Sequence, residues 1–161
     1  MRMGKVNQVE TKPTLAEMLP QAAPMILLSG YETPGDEDAI DSYVEVTPDS
    51  PFFDAAIGGV PSCVALEYMA QTMALCVGFH RRRQGLPPKL GFVLGSRRLA
   101  LEIEKFIPGK RYRVHAACTF QDEEFGSFDC TIRDEGDAVV ASAALTAFQP
   151  DETMLDERLR G

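Results

Sequence analysis

The chain has few of the residues that hold metals. Its two histidines are His80 and His115, and no two of its four cysteines, Cys63, Cys76, Cys118 and Cys130, form a C-x-x-C pair. Zinc and similar sites draw on closely spaced thiolates and imidazoles, so no metal site is expected. Each cysteine sits among apolar neighbours and reads as a buried free thiol. Positive charge is also short: 16 Lys and Arg stand against 24 Asp and Glu, a formal net charge of −8. That leaves no basic stripe to neutralise a phosphate backbone, which argues against nucleic acid as a partner. No window approaches eighteen apolar residues without a charge, and no charged-then-apolar leader opens the sequence. The expectation is a cytoplasmic protein without a membrane partner. Internal repeats and low-complexity tracts are absent as well.

What is present organises itself around one stretch. At 161 residues and 45% hydrophobic content the chain fits one globular domain with a real core. Within it, Gly58-Gly-Val-Pro-Ser-Cys-Val-Ala-Leu-Glu67-Tyr-Met-Ala-Gln71 continues without a breaker to about Gln84, where Gly85 and Pro87-Pro88 stop it. The pattern predicts a helix with Pro61 at its first position, about 30 Å long. Val64, Leu66, Met69, Met73, Leu75, Val77 and Phe79 leave it no continuous polar face, so it must be buried on most sides. Glu67 and Gln71 interrupt the apolar surface one turn apart, with Thr72 beside them. A carboxylate in such surroundings is costly unless paired or protonated, which makes Glu67 a candidate functional residue. The residues alone equally allow a structural role, with Glu67 paired inside the fold or in a wet subunit seam.

The rest of the chain supplies strands. Residues 1–12 read as a flexible arm and 151–161 as a charged tail, leaving 13–150 as the domain. Thr14-Leu-Ala-Glu17 carries a capping-box signature for a short helix ended by Pro20. Met25 to Leu28 reads as a short buried strand, and Ala39 to Val46 alternates as a second. Lys89 to Ile103 contains a strand interrupted at Gly95-Ser96, a bulge or a close backbone approach. From Arg111, residues Tyr112, Val114, Ala116, Cys118 and Phe120 share one face. Phe128, Cys130 and Ile132 alternate likewise, and Ala138 to Phe148 forms a last long strand. The fold class is therefore α+β, one long antiparallel sheet wrapped around a central buried helix, which is the hotdog architecture. Such a sheet leaves an edge strand, and pairing of two edges makes a dimer.

Particular blocks carry a family likeness. Leu19-Pro-Gln-Ala-Ala-Pro-Met25-Ile-Leu-Leu28, Gly59-Val-Pro, Ala65-Leu-Glu67-Tyr-Met-Ala-Gln71 and Phe106-Ile-Pro-Gly109-Lys fall in that order over residues 19–150. The sequence resembles the hotdog 3-hydroxyacyl-acyl-carrier-protein dehydratases, most closely the aryl-polyene-cluster branch of the ApeP type. In that family a histidine in a G-H-F-P loop removes the proton alpha to the thioester carbonyl. A carboxylic acid on the helix, contributed by the opposite subunit, protonates the departing 3-hydroxyl. Glu67 matches the helix carboxylate and Gln71 the glutamine one turn on. The histidine does not carry over: the chain reads Phe52-Phe-Asp54-Ala-Ala-Ile-Gly-Gly59 in place of G-H-F-P, and Gln21 where the branch often has L-P-H.

The resemblance implies acyl thioesters on the phosphopantetheine of an acyl carrier protein or coenzyme A, no further cofactor, and a role in fatty acid or polyene biosynthesis. Three readings stay open. One is a divergent dehydratase using Glu67 as acid and Asp54 as base. A second is a thioesterase in which Glu67 activates a water held by Gln71, with N–H groups at Gly59, Val60 and Ser62, by the helix N-terminus, binding the carbonyl oxygen. The third is a protein without catalysis, which binds acyl chains or forms the silent half of a heterodimer with an active dehydratase. Met73 is expected to line the acyl channel, and Arg97 and Arg98, next to the Gly95-Ser96 interruption, to receive an acidic carrier protein. Lys110-Arg111-Tyr-Arg113 and His80-Arg81-Arg-Arg83 are alternative basic docks, or ordinary solvated charge. The assembly is expected to be a homodimer or higher hotdog oligomer, or a heterodimer with an active dehydratase.

Overall fold

A computed structural model of the chain describes residues 11–151 and Glu157. The expected arm over 1–12 and tail over 151–161 lie outside these residues except for residues 11, 12, 151 and 157. The Lys12 ammonium packs 4.1 Å from the centre of the Tyr31 ring. The short helix α1, Leu15–Met18, forms where its capping box predicts. The Thr14 hydroxyl accepts from the Glu17 N–H, and the Glu17 carboxylate accepts from the Thr14 N–H at 2.7 Å.

The long helix α2 spans Ala65–Arg83. Pro61 does not start it. That residue closes a two-residue strand and precedes a 3₁₀ turn, Ser62–Val64, so the α-helix begins one turn later than expected. The Ser62–Arg83 segment is long and apolar enough to span a bilayer by length and composition alone, as core helices often are. In this fold it is the core helix, and Tyr68, Met69, Gln71, Thr72 and Leu75 along it are fully buried.

The described residues form eight strands, in chain order β1 Gly30–Tyr31, β2 Ala39–Glu45, β3 Val60–Pro61, β4 Phe92–Leu101, β5 Lys105–Phe106, β6 Arg111–Gln121, β7 Phe125–Arg133 and β8 Val139–Phe148. Six build one antiparallel sheet in the order β1-β2-β6-β7-β8-β4, and β3 pairs with β5. The sheet lays its inner face on α2, and α2 touches β2, β6, β7 and β8. Tyr112, Val114, Ala116, Phe128, Cys130, Ile132 and Leu145 point inward and are buried, so the period-two alternation reads true along most of β6 to β8. A chain of edge-to-face rings ties helix to sheet: Tyr68 to Phe106 at 5.2 Å and Phe106 to Tyr112 at 4.9 Å.

Two expectations fail for identifiable reasons. Residues 25–28 are not a strand; the paired strand is β1, and the segment before it bonds to a side chain of α2. Phe120 is not on the core face, because a register shift between Cys118 and Phe120 reverses the alternation and leaves Phe120 56% exposed. The cysteines divide as well: Cys76 and Cys130 are buried, Cys118 is partly covered, and Cys63 is exposed.

The expected interruption of β4 is real. Its register with β8 shifts between Val93 and Gly95 and again between Arg97 and Ala100, where Arg98 takes a left-handed φ of 54°. β4 pairs with β8 alone, which makes it the long edge of the sheet.

Candidate active site

Gln71 holds the site together. Its side chain is fully buried, and a buried amide needs partners on both ends. Its Oε1 accepts from the Leu27 N–H at 2.9 Å, while its Nε2 donates to the Met25 carbonyl at 2.7 Å and to Glu67 Oε1 at 3.0 Å. The apolar run Met25–Leu28 is therefore fixed by a helix side chain instead of a neighbouring strand. Both amide hydrogens are spent, so Gln71 has none left with which to orient a water. It acts on Glu67 instead, holding that carboxylate in one rotamer.

Glu67 sits in the first turn of α2. It is half-buried, and beyond its bond to Gln71 it lines a cleft of about 290 Å³. Met73, Ala74 and Val77 of α2, Phe128 of β7 and Phe92 at the start of β4 give this cleft apolar walls. Gln21, Lys89, Gln121 and Gln149 add polar groups. Such an arrangement, an apolar slot with few polar groups and one carboxylate, suits a linear chain that carries a reactive polar end.

The other expected site residues lie elsewhere. Asp54 is exposed, and its Oδ1 accepts from the Ala56 N–H at 2.9 Å, shaping the turn before β3. It does not line the cleft. Gly59 donates its N–H to the Asp54 carbonyl at 3.3 Å and packs so tightly that a Cβ there would lie 2.6 Å from the Phe106 carbonyl oxygen. Val60 is buried in the β3–β5 pair, and the Ser62 N–H is bonded to the Glu104 carbonyl at 3.0 Å. Within one chain, then, the N–H groups of Gly59 and Ser62 are engaged by backbone carbonyls and not aimed into the cleft. Arg97 and Arg98 stand exposed on β4, with Arg98 Nη2 at 3.7 Å from Asp129 Oδ1, also outside the cleft. Of the site residues read from sequence, the structure brings together Glu67, Gln71 and Met73.

Neither histidine reaches the cleft. His80 is exposed near the far end of α2, 3.1 Å from the Gln84 amide nitrogen. His115 lies on the outer face of the sheet with Nδ1 3.0 Å from Asp41 Oδ1. Among the described residues the cleft holds an acid and no imidazole. Gln21 is marked in the sequence only as the position where the resembled branch often has L-P-H, and Lys89 and Gln149 are not legible as site residues, because all three come from separate loops that meet only when the sheet closes on α2.

Known proteins can be set beside this geometry. The ApeP-like family model, that of the ApeP dehydratase, matches residues 13–158. A chain of the dehydratase heterocomplex ApeI:P from Xenorhabdus doucetiae superposes with a TM-score of 0.84 at 30% identity, covering 94% of this chain and 100% of that one. More distant structures share the fold: a hypothetical thioesterase with coenzyme A from Streptococcus pneumoniae (TM-score 0.59, 14% identity, 77% of this chain and 88% of that one) and the E. coli PaaI protein from the phenylacetic acid degradation operon (0.57, 13%, 74% and 82%). No curated protein matches the sequence. The family model runs across almost the whole domain and the Xenorhabdus chain matches it end to end, so this hotdog protein belongs to the ApeP-like dehydratase family.

Proposed function

We propose that the chain is the acid-bearing subunit of a 3-hydroxyacyl-thioester dehydratase whose base comes from a second, different hotdog chain. One observation carries this reading: Glu67 is held in an apolar cleft by Gln71, with no imidazole lining that cleft. Dehydration needs two proton transfers. A base removes the proton from the carbon alpha to the thioester carbonyl, and an acid delivers a proton to the departing 3-hydroxyl, giving the 2-enoyl thioester and water. Glu67 is suited to the second transfer. The amides and the lysine around it are poor candidates for the first.

Heteromeric assembly fits both the missing base and the exposed β4 edge, and the related Xenorhabdus chain comes from a dehydratase heterocomplex. The thioester is carried on acyl carrier protein or coenzyme A, and Met73 and Phe128 flank its chain.

The test uses the purified chain, alone and with an ApeI-type hotdog subunit, on 3-hydroxyacyl and saturated acyl thioesters. Enoyl absorbance and free thiol are followed in parallel. The expected result is enoyl product only with both chains present, reduced about 10²–10⁴-fold by Glu67→Gln. Thiol release without enoyl product, abolished by Glu67→Gln, would establish hydrolysis instead.

A further inference from the structure

Gln21 lines the same cleft as Glu67, and its Oε1 is buried with no hydrogen-bond partner among the described residues. It is the one buried side-chain polar atom there in that condition. An acceptor closed off from water and unpaired costs about 1–3 kcal/mol. The fold tolerates this in the cavity that also holds Glu67. The last torsion of a glutamine is soft, so the amide can swing its oxygen towards the cleft at little cost.

What it would meet there follows from hydrogen-bond inventory. Oε1 accepts and cannot donate, so it is completed by a ligand O–H or N–H and gains nothing from a hydrocarbon. A hydroxyl offers one donor and two acceptor lone pairs. Glu67, when protonated, can donate to the oxygen of such a hydroxyl, and that leaves the hydroxyl's own hydrogen in need of an acceptor. We infer that Gln21 reads a hydroxyl on the acyl chain, accepting its proton in a hydrogen bond while Glu67 faces its oxygen, so that the cleft selects hydroxyacyl thioesters over saturated and enoyl ones. The inference rests on the acyl-thioester reading of this cleft and adds the group that sets its specificity. Gln21 is a binding residue in this account and moves no proton.

The experiment measures binding of 3-hydroxyacyl, 2-enoyl and saturated acyl pantetheine thioesters of one chain length to the isolated chain by calorimetry. The wild type should hold the hydroxyacyl form about 10-fold or more tighter, as a buried group left unpaired by the other two implies. Gln21→Met, similar in length but without an acceptor, should bring all three within about twofold, while Gln21→Glu, which restores an acceptor, should keep the preference. Thermal unfolding of both variants checks that the fold is retained. Equal affinities in the wild type, or a preference that survives Gln21→Met, would overturn the inference and leave the acyl-thioester reading standing. Absence of binding by all three thioesters would overturn both.

Discussion

Single side chains in this protein connect parts that the sequence keeps far apart. Gln71 fixes the backbone of Met25 and Leu27 and orients Glu67 at once. Gln71→Leu would leave the buried Leu27 N–H and the partly covered Met25 carbonyl unpaired and should cost about 1–3 kcal/mol, read as a lower urea midpoint. It should also lower dehydration with Glu67 intact, since the carboxylate loses its brace. The cysteines make a second case. Burial pushes the thiols of Cys76 and Cys130 up to about 12, and that of Cys118 upward too, while Cys63 is exposed. Alkylation of the native protein near pH 8 should therefore modify Cys63 first, because the thiolate is the nucleophile. Mass mapping that finds Cys76 or Cys130 labelled equally fast would contradict the packing. The same shifts fix a pH dependence. Unfolded thiols ionise above about pH 9 while the folded ones stay protonated, so their contribution is intact below pH 9. Between pH 9 and 12 stability should fall, and the decline should be shallower in Cys130→Ala.

Elements show which parts of the structure a sequence can disclose. The helix α2 was legible because nothing in Val64–Phe79 breaks it, and α1 because its capping box is local. The alternation of β7 and the extent of β8 were legible for the same reason. By contrast, Met25–Leu28 reads as a strand by composition, yet its partner is Gln71, 44 residues from Leu27, and no local pattern encodes that distance. The reversal at Phe120 comes from a bulge, which composition does not announce. Glu67 and Met73 stood out because one helix carries both, whereas Gln21 and Lys89 enter the cleft from loops. Packing of α1 on α2 has its own hidden requirement. A Cβ at Gly78 would lie 2.3 Å from the Met18 carbonyl oxygen, so the two helices touch only because that position has no side chain. Gly78→Ala should part them and cost about 1–3 kcal/mol as overpacking, despite the better helix propensity of alanine. A thermal midpoint equal to or above wild type would show that α1 yields without cost. Thr72 anchors the other side: its hydroxyl bonds to Ser42 Oγ at 2.7 Å and to the Tyr68 carbonyl at 2.8 Å, joining α2 to β2 inside the core.

On the scale of the whole molecule, the sheet ends in an edge that water does not suit. Ten residues of β4 pair on one side only, and Phe92, Val93, Leu94, Leu99 and Leu101 are each more than a third exposed. A long apolar edge strand invites another strand, and exposed apolar area of this kind marks an interaction surface. Its opening residues Phe92 and Val93 also wall the cleft that holds Glu67. A chain that covered β4 would therefore abut the cleft, and on the proposed two-chain reading this would give the second subunit a route for its base to the substrate. Leu94 tests this link, since it is 59% exposed and does not line the cleft. Leu94→Lys places a charge on the edge, the usual means by which natural sheets prevent pairing. The wild type is expected to associate through this edge; the variant should keep its circular dichroism, run as a monomer by light scattering, and lose enoyl formation in the two-chain assay without any change at Glu67. If it remains assembled and active, the second chain docks elsewhere, and the base must reach the cleft from a side that β4 does not border.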